Sequence, residues 1–172
     1  MPYGIVLLPD RATHARLADL AGAAGGPDPI NKLGEHAPAH ISVVHFDGPP
    51  EAIEARAAAH PIRTLRVTVI GLLYTVVPPG DYYVPQGGVY YGIEIVREPG
   101  LNALHAEALS WVLDSGATPL GAVGAGYRPH ITLGMTAGPV LPDLATVPRG
   151  ELTAELAFGE LGPYGTFPGL SR

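Results

Sequence analysis

A chain of 172 residues that is 47% hydrophobic and 15% charged has enough apolar side chains for a core at the length of one domain, and its 23 glycines and 19 prolines belong mostly to loops. The absence of cysteine excludes a disulfide framework, a thiolate zinc site, an iron–sulfur cluster and a cysteine nucleophile. The net charge of −6, with a single lysine (Lys32) and nine scattered arginines, offers no basic stripe for long nucleic acid, so any nucleotide ligand is expected to be small.

The first apolar run, Tyr3 to Leu8, is broken by Pro9 and Asp10 and reads as a strand. It lacks a basic leader and no later run nears about 18 apolar residues. A soluble cytoplasmic protein without a membrane partner is therefore expected, with a monomer as the favoured state. Asp10 is placed to cap a helix from Arg11 to Ala24, with Leu17, Leu20, Ala21 and Ala24 on its apolar face and Gly25-Gly26-Pro27 at its end. A polar loop through Asn31, Lys32 and Glu35 leads to a strand from His40 to Phe46, then to a short helix over Glu51 to Ala59. Thr64 to Val77 is the longest β-rich stretch, with Val67 and Val69 on one face, and Pro78-Pro79-Gly80 stops it.

Beyond the loop Gly80 to Gly88, Val89 to Val96 is strand-like. Leu101, Leu104, Ala108, Trp111 and Val112 then mark the buried face of a helix from about Glu98 to Asp114, and Gly116 lies past its end. Gly121, Gly124 and Gly126 lead into a strand at His130 to Met135 rather than into a helix, which excludes a phosphate loop or dinucleotide fingerprint. Glu151 to Glu160 is a last strand.

The halves repeat. Tyr3-Gly4-Ile5-Val6 matches Tyr91-Gly92-Ile93-Glu94 at an offset of 88, and His40-Ile41-Ser42-Val43 matches His130-Ile131-Thr132-Leu133 at an offset of 90. We read a duplicated strand–helix–strand unit, about residues 3–46 and 89–135, within one two-lobed domain over 1–172. Residues i and i+2 of a strand share a face, so His40 joins Ser42, and His130 joins Thr132. Brought together across one cleft, two imidazoles flanked by two hydroxyls suit cleavage of a phosphodiester. One ring takes a proton from water, the other gives one to the leaving oxygen, and the hydroxyls hold the phosphoryl oxygens.

These two His-x-Ser/Thr motifs, half the chain apart and each on a strand, resemble the signature of the 2H phosphoesterases, which include 2',5'-RNA ligase-like proteins and cyclic nucleotide phosphodiesterases. The resemblance spans Tyr3 to about Phe158. It implies an α+β fold of two lobes with antiparallel sheets around a central cleft and helices outside, catalysis by His40, Ser42, His130 and Thr132, and no metal or other cofactor. The function it implies is hydrolysis of a cyclic phosphate on a nucleotide, an ADP-ribose or a short oligonucleotide. Binding of a nucleotide or RNA end without turnover, and ligase-like activity, stay open. A two-histidine metal site lacks a third ligand.

Four further residues are candidate substrate contacts. Tyr3 and Tyr91, at matching places in the repeat, are placed to stack on a base. Tyr127 and Arg128 precede the second motif, where Arg128 can neutralise a phosphate. His45 has the opposite parity to His40 and is expected to face away. His14, His36, His60 and His105 are expected to be structural or solvent-facing, and the loop carrying Tyr82, Tyr83 and Gln86 to be solvated.

Overall fold

A computed structural model describes residues 1–29, 31–34 and 37–170. His36 and Glu35 lie outside these residues. The chain runs β1 (Pro2–Pro9), α1 (Arg11–Ala24), β2 (Asn31–Lys32), β3 (Ile41–Asp47), α2 (Glu51–Ala59), β4 (Thr64–Val77), β5 (Gly88–Ile95), α3 (Pro99–Asp114), β6 (Thr118–Leu120), β7 (His130–Thr136) and β8 (Gly150–Glu160). The fold is α+β, as expected. The short strands β2 and β6 are additions to the sequence reading, each too brief to show a period.

Local chemistry explains the main boundaries. The Asp10 carboxylate accepts the Thr13 N–H at 2.7 Å and starts α1, and Gly26, at φ 72°, turns the chain out after its end. Pro99 opens α3, where its missing N–H costs nothing. Leu17, Leu20, Ala21 and Ala24 of α1 and Leu101, Leu104, Ala108, Trp111 and Val112 of α3 are buried as their spacing requires.

The strands form an antiparallel sheet in the order β2-β7-β5-β4-β8-β1-β3-β6, and a further pairing of Ile41 with Ile131 ties β3 to β7. That bridge closes a circuit of strands and sets the two motifs side by side, since each isoleucine is the middle residue of its His-x-Ser/Thr triplet. Both isoleucines are fully buried in the main core with Ile5, Leu7, Phe46, Tyr91 and Ile93. The alternate residues of β1, Val6 and Leu8, face the other way into a smaller cluster with Leu161 and Phe167, which belong to the segment after β8.

Each motif strand carries a bulge directly after its hydroxyl residue. Val6 pairs with Ser42 but Ile5 pairs with Val44, leaving Val43 as the extra residue; Gly92 pairs with Thr132 but Tyr91 with Gly134, leaving Leu133 extra. The duplication thus includes its irregularity. It also corrects the register of the first strands: Val44 and Gly134 are 90 residues apart, so the counterpart of Tyr91 is Ile5 and not Tyr3. Gly92 sits where the strands come closest, and a Cβ there would lie on the carbonyl oxygen of Ile131.

Candidate active site

A cavity of about 370 Å³ lies where β3, β5 and β7 meet the loops, and His40, Ser42, His130 and Thr132 all line it. The two histidines are held in the same way. The Nδ1–H of His40 donates to the carbonyl of Pro38 at 2.9 Å, and that of His130 to the carbonyl of Arg128 at 2.8 Å, in each case two residues back along the chain. A carbonyl can only accept, so Nδ1 carries the proton and Nε2 is left as the nitrogen that exchanges one.

The surroundings of the two rings differ. His40 is 7% exposed, with the ring of Phe167 edge-on at 4.8 Å. Burial pushes its pKa down to about 4, the Pro38 carbonyl opposing this and the like charge of His130 adding to it. His130 is half-buried, stacks on Tyr90 at 5.3 Å and lies opposite Glu94 across the β5–β7 ladder. Burial lowers its pKa too; the Arg128 carbonyl opposes this, the Arg128 guanidinium adds to it, and the Glu94 carboxylate opposes it least.

The bulge in β3 overturns the expectation for His45. Ser42 and His45 lie opposite Val6 and Gly4, which share a face of β1, so the inserted residue brings His45 onto the cleft side, and it lines the cavity. In the second half the same shift brings Met135 into the cavity beside Thr132. Strict alternation in the sequence hid this residue; no turn or glycine in β3 announces the bulge. His45 Nδ1 is 2.7 Å from the Tyr83 hydroxyl, and its buried Nε2 has no partner. Burial, reinforced by the charges of His40 and His130, pushes its pKa down to about 3.

Behind the motif strand, His105 and Tyr127 hold the bulge. The His105 Nδ1–H donates to Val43 O at 2.7 Å while its Nε2 accepts the Gly124 N–H at 2.9 Å, which only the neutral ring can do. The Tyr127 ring lies flat on His105 at 3.9 Å and its hydroxyl donates to Ser42 O at 2.9 Å. Arg97 bonds the carbonyls of Gly124, Ala125 and Tyr127 from outside. His105 is therefore structural but buried in the core, not solvent-facing. His60, bonded to Ile62 O and Glu107, is structural as well. His14 accepts the Ala39 N–H at 3.0 Å, next to His40.

Of the four candidate substrate contacts, Tyr127 and Arg128 line the cavity and Tyr3 and Tyr91 do not. Tyr3 is stacked between Phe46 and Phe158, and the buried Tyr91 spends its hydroxyl on Ala21 O. Both point to the core face of their strands. Arg128 is paired with Glu94 at 3.1 Å. Tyr83, Tyr90 and Tyr164 line the cavity as well; Tyr83 comes from the loop expected to be solvated. Among the described residues no group of three or more His, Cys, Asp or Glu side chains could hold a metal ion, and no helix is long and apolar enough to cross a membrane.

No family model matches the sequence, and no curated protein is significantly similar to it. Its fold is shared with solved structures. The MHV ns2 PDE domain superposes with a TM-score of 0.52 at 12% identity, over 93% of this chain and 99% of that one. A second structure, described as a phosphoesterase, gives a TM-score of 0.50 at 14% identity over 94% and 95% of the two chains.

Proposed function

We propose that the protein is a phosphodiesterase of the 2H type that opens a cyclic phosphate on a small nucleotide. The observation that carries this reading is the pair of His-x-Ser/Thr triplets, bridged through Ile41 and Ile131 and lining one cavity, each imidazole held by a carbonyl two residues back. The fold it shares with a PDE domain and a phosphoesterase supports the same chemistry.

The differing surroundings of the rings assign their roles. His40, the more thoroughly buried and without a carboxylate partner, is neutral and takes the proton from water as the water oxygen bonds to phosphorus. His130, the more exposed of the two rings, carries the proton and delivers it from Nε2 to the ribose oxygen as that P–O bond breaks. Ser42 and Thr132 hydroxyls donate to the non-bridging oxygens, where charge accumulates in the transition state. Hydrolysis leaves a phosphomonoester with His40 protonated and His130 neutral, and the starting states return when His40 releases a proton to solvent and His130 takes one up. No step in this scheme calls for a metal. The cavity, at about 370 Å³, is in the range for a small-molecule site and suits one nucleotide better than a long strand.

The test is incubation with nucleoside 2',3'-cyclic phosphates, an ADP-ribose cyclic phosphate and a short oligonucleotide ending in a cyclic phosphate, with and without chelator, followed by phosphorus NMR. A phosphomonoester formed at a chelator-independent rate supports the reading. Binding with no product from any of them would replace it with a binding module.

A further inference from the structure

The cavity contains one polar pair that the two-histidine scheme leaves unused. Tyr83 sits on the loop between β4 and β5, which is braced from within: the Asp81 carboxylate accepts the N–H groups of Tyr83 and Val84, and Gly80 N–H donates to Pro85 O. Its ring lies against Gly121 and Gly165, where a Cβ would come within 3.3 and 3.4 Å of it. Its hydroxyl reaches His45 Nδ1 at 2.7 Å.

The proton arrangement follows from the buried Nε2 of His45, which has no partner. An orphaned buried N–H is rarer than an orphaned acceptor, because a donor has no other way to satisfy its proton. Nδ1 is then the protonated nitrogen and donates to the Tyr83 oxygen. The Tyr83 hydroxyl must place its own proton elsewhere, and the cavity that both residues line with His40 and Ser42 is on offer. Burial keeps that phenol protonated, as a donor must be. The second half-site has Met135 at the position matching His45, so this device has no twin there.

We propose, on the reading given above, that Tyr83 is a third hydroxyl donor to the phosphoryl group, oriented by His45, and that it distinguishes one non-bridging oxygen from the other. A chain of His45 N–H to Tyr83 oxygen to phosphoryl oxygen strengthens the last bond by polarising the one before it.

The experiment compares the two diastereomers of a nucleoside 2',3'-cyclic phosphorothioate, in which sulfur, a poor acceptor, replaces one or the other non-bridging oxygen. Tyr83→Phe should lower kcat on the oxygen substrate by about 10²-fold with KM changed little, and should reduce the native enzyme's preference between diastereomers about tenfold. His45→Gln, whose carboxamide can still donate to Tyr83, should keep most of that preference, and His45→Leu should lose it. An unchanged diastereomer ratio in Tyr83→Phe overturns the proposal. Failure of the native protein to open any cyclic phosphate would instead remove the phosphodiesterase reading. Calorimetric binding of a nucleoside 3'-monophosphate then decides the donor's role: about tenfold weaker binding by Tyr83→Phe supports it and equal binding overturns it.

Discussion

Replacing His45 with Gln should make the protein more resistant to acid, even though it alters a residue in the cavity wall. In the native state burial holds the His45 pKa at about 3, whereas an unfolded histidine titrates near 6.5. Between those values the unfolded chain binds a proton that the native state refuses, so stability is intact above about pH 6.5 and is lost as the pH falls toward 3. Each such group costs about 1.4 kcal/mol per pH unit in that window, or about 3 kcal/mol between pH 6 and 4. His40, pushed down to about 4, adds a loss of similar size. Against a total stability of about 5–15 kcal/mol, these two groups decide where acid unfolding begins. Urea unfolding at half-unit steps from pH 4 to 7 measures the slope. The native protein should show about one more proton taken up on unfolding than His45→Gln, with the two curves converging in shape above pH 7. Parallel curves across the acid range would refute the argument that His45 is buried in its neutral form.

The depressed pKa of both motif histidines also moves the activity optimum: kcat/KM should peak on the acid side of 6.5, falling below about pH 4 as His40 gains a proton and falling at the upper side as His130 loses its own. Glu94→Gln should bring the upper limb to lower pH, because it removes the carboxylate that favours imidazolium at His130 and leaves Arg128 unpaired; a stopped assay over pH 4–8 reads both effects. His105→Leu removes the N–H on Val43 O and the acceptor for Gly124 N–H, so it should cost about 2–3 kcal/mol in denaturant unfolding and lower kcat more than it raises KM, since Ser42 is the residue next to the released carbonyl. Gly92→Ala should cost about 2 kcal/mol or more by the same measurement, because its methyl group would displace Ile131, whose bridge to Ile41 joins the two motifs.

The motifs were legible because both hydroxyls lie on the regular side of each bulge, where alternation by two holds. One residue later it fails. Val43 and Leu133 look like ordinary strand residues, and the insertions they make are fixed by pairing with β1 and β5, partners far away in sequence. Alternation alone therefore puts His45 on the wrong face. The tyrosines failed for a related reason: the matching Tyr-Gly-Ile words suggested equivalence at offset 88, while strand pairing sets it at 86, and both rings turn into the core where Ala21 O and the Phe46–Phe158 pair accommodate them. Helices α1 and α3 are legible from periodic leucines and the glycines past their ends, and α1 from its Asp10 cap as well, all local signals. His105 is left out of the apolar stripe of α3 in the sequence because its burial depends on a tertiary contact with Val43 O. Tyr83 reaches the cavity, and Phe167 the ring of His40, from segments rich in turn residues, and nothing in their neighbours' composition marks them for these places.

The central claim is that His40 and His130 act as one acid–base unit on a single phosphate. Steady-state hydrolysis of a nucleoside 2',3'-cyclic phosphate by the native protein, His40→Ala, His130→Ala and the double variant tests it most directly, with each variant shown to be folded by its thermal transition. Each single replacement should lower kcat by about 10²–10⁴-fold, and the double variant should be little slower than the slower single one. Losses that multiply in the double variant, or a single variant that keeps native turnover, would contradict a shared site.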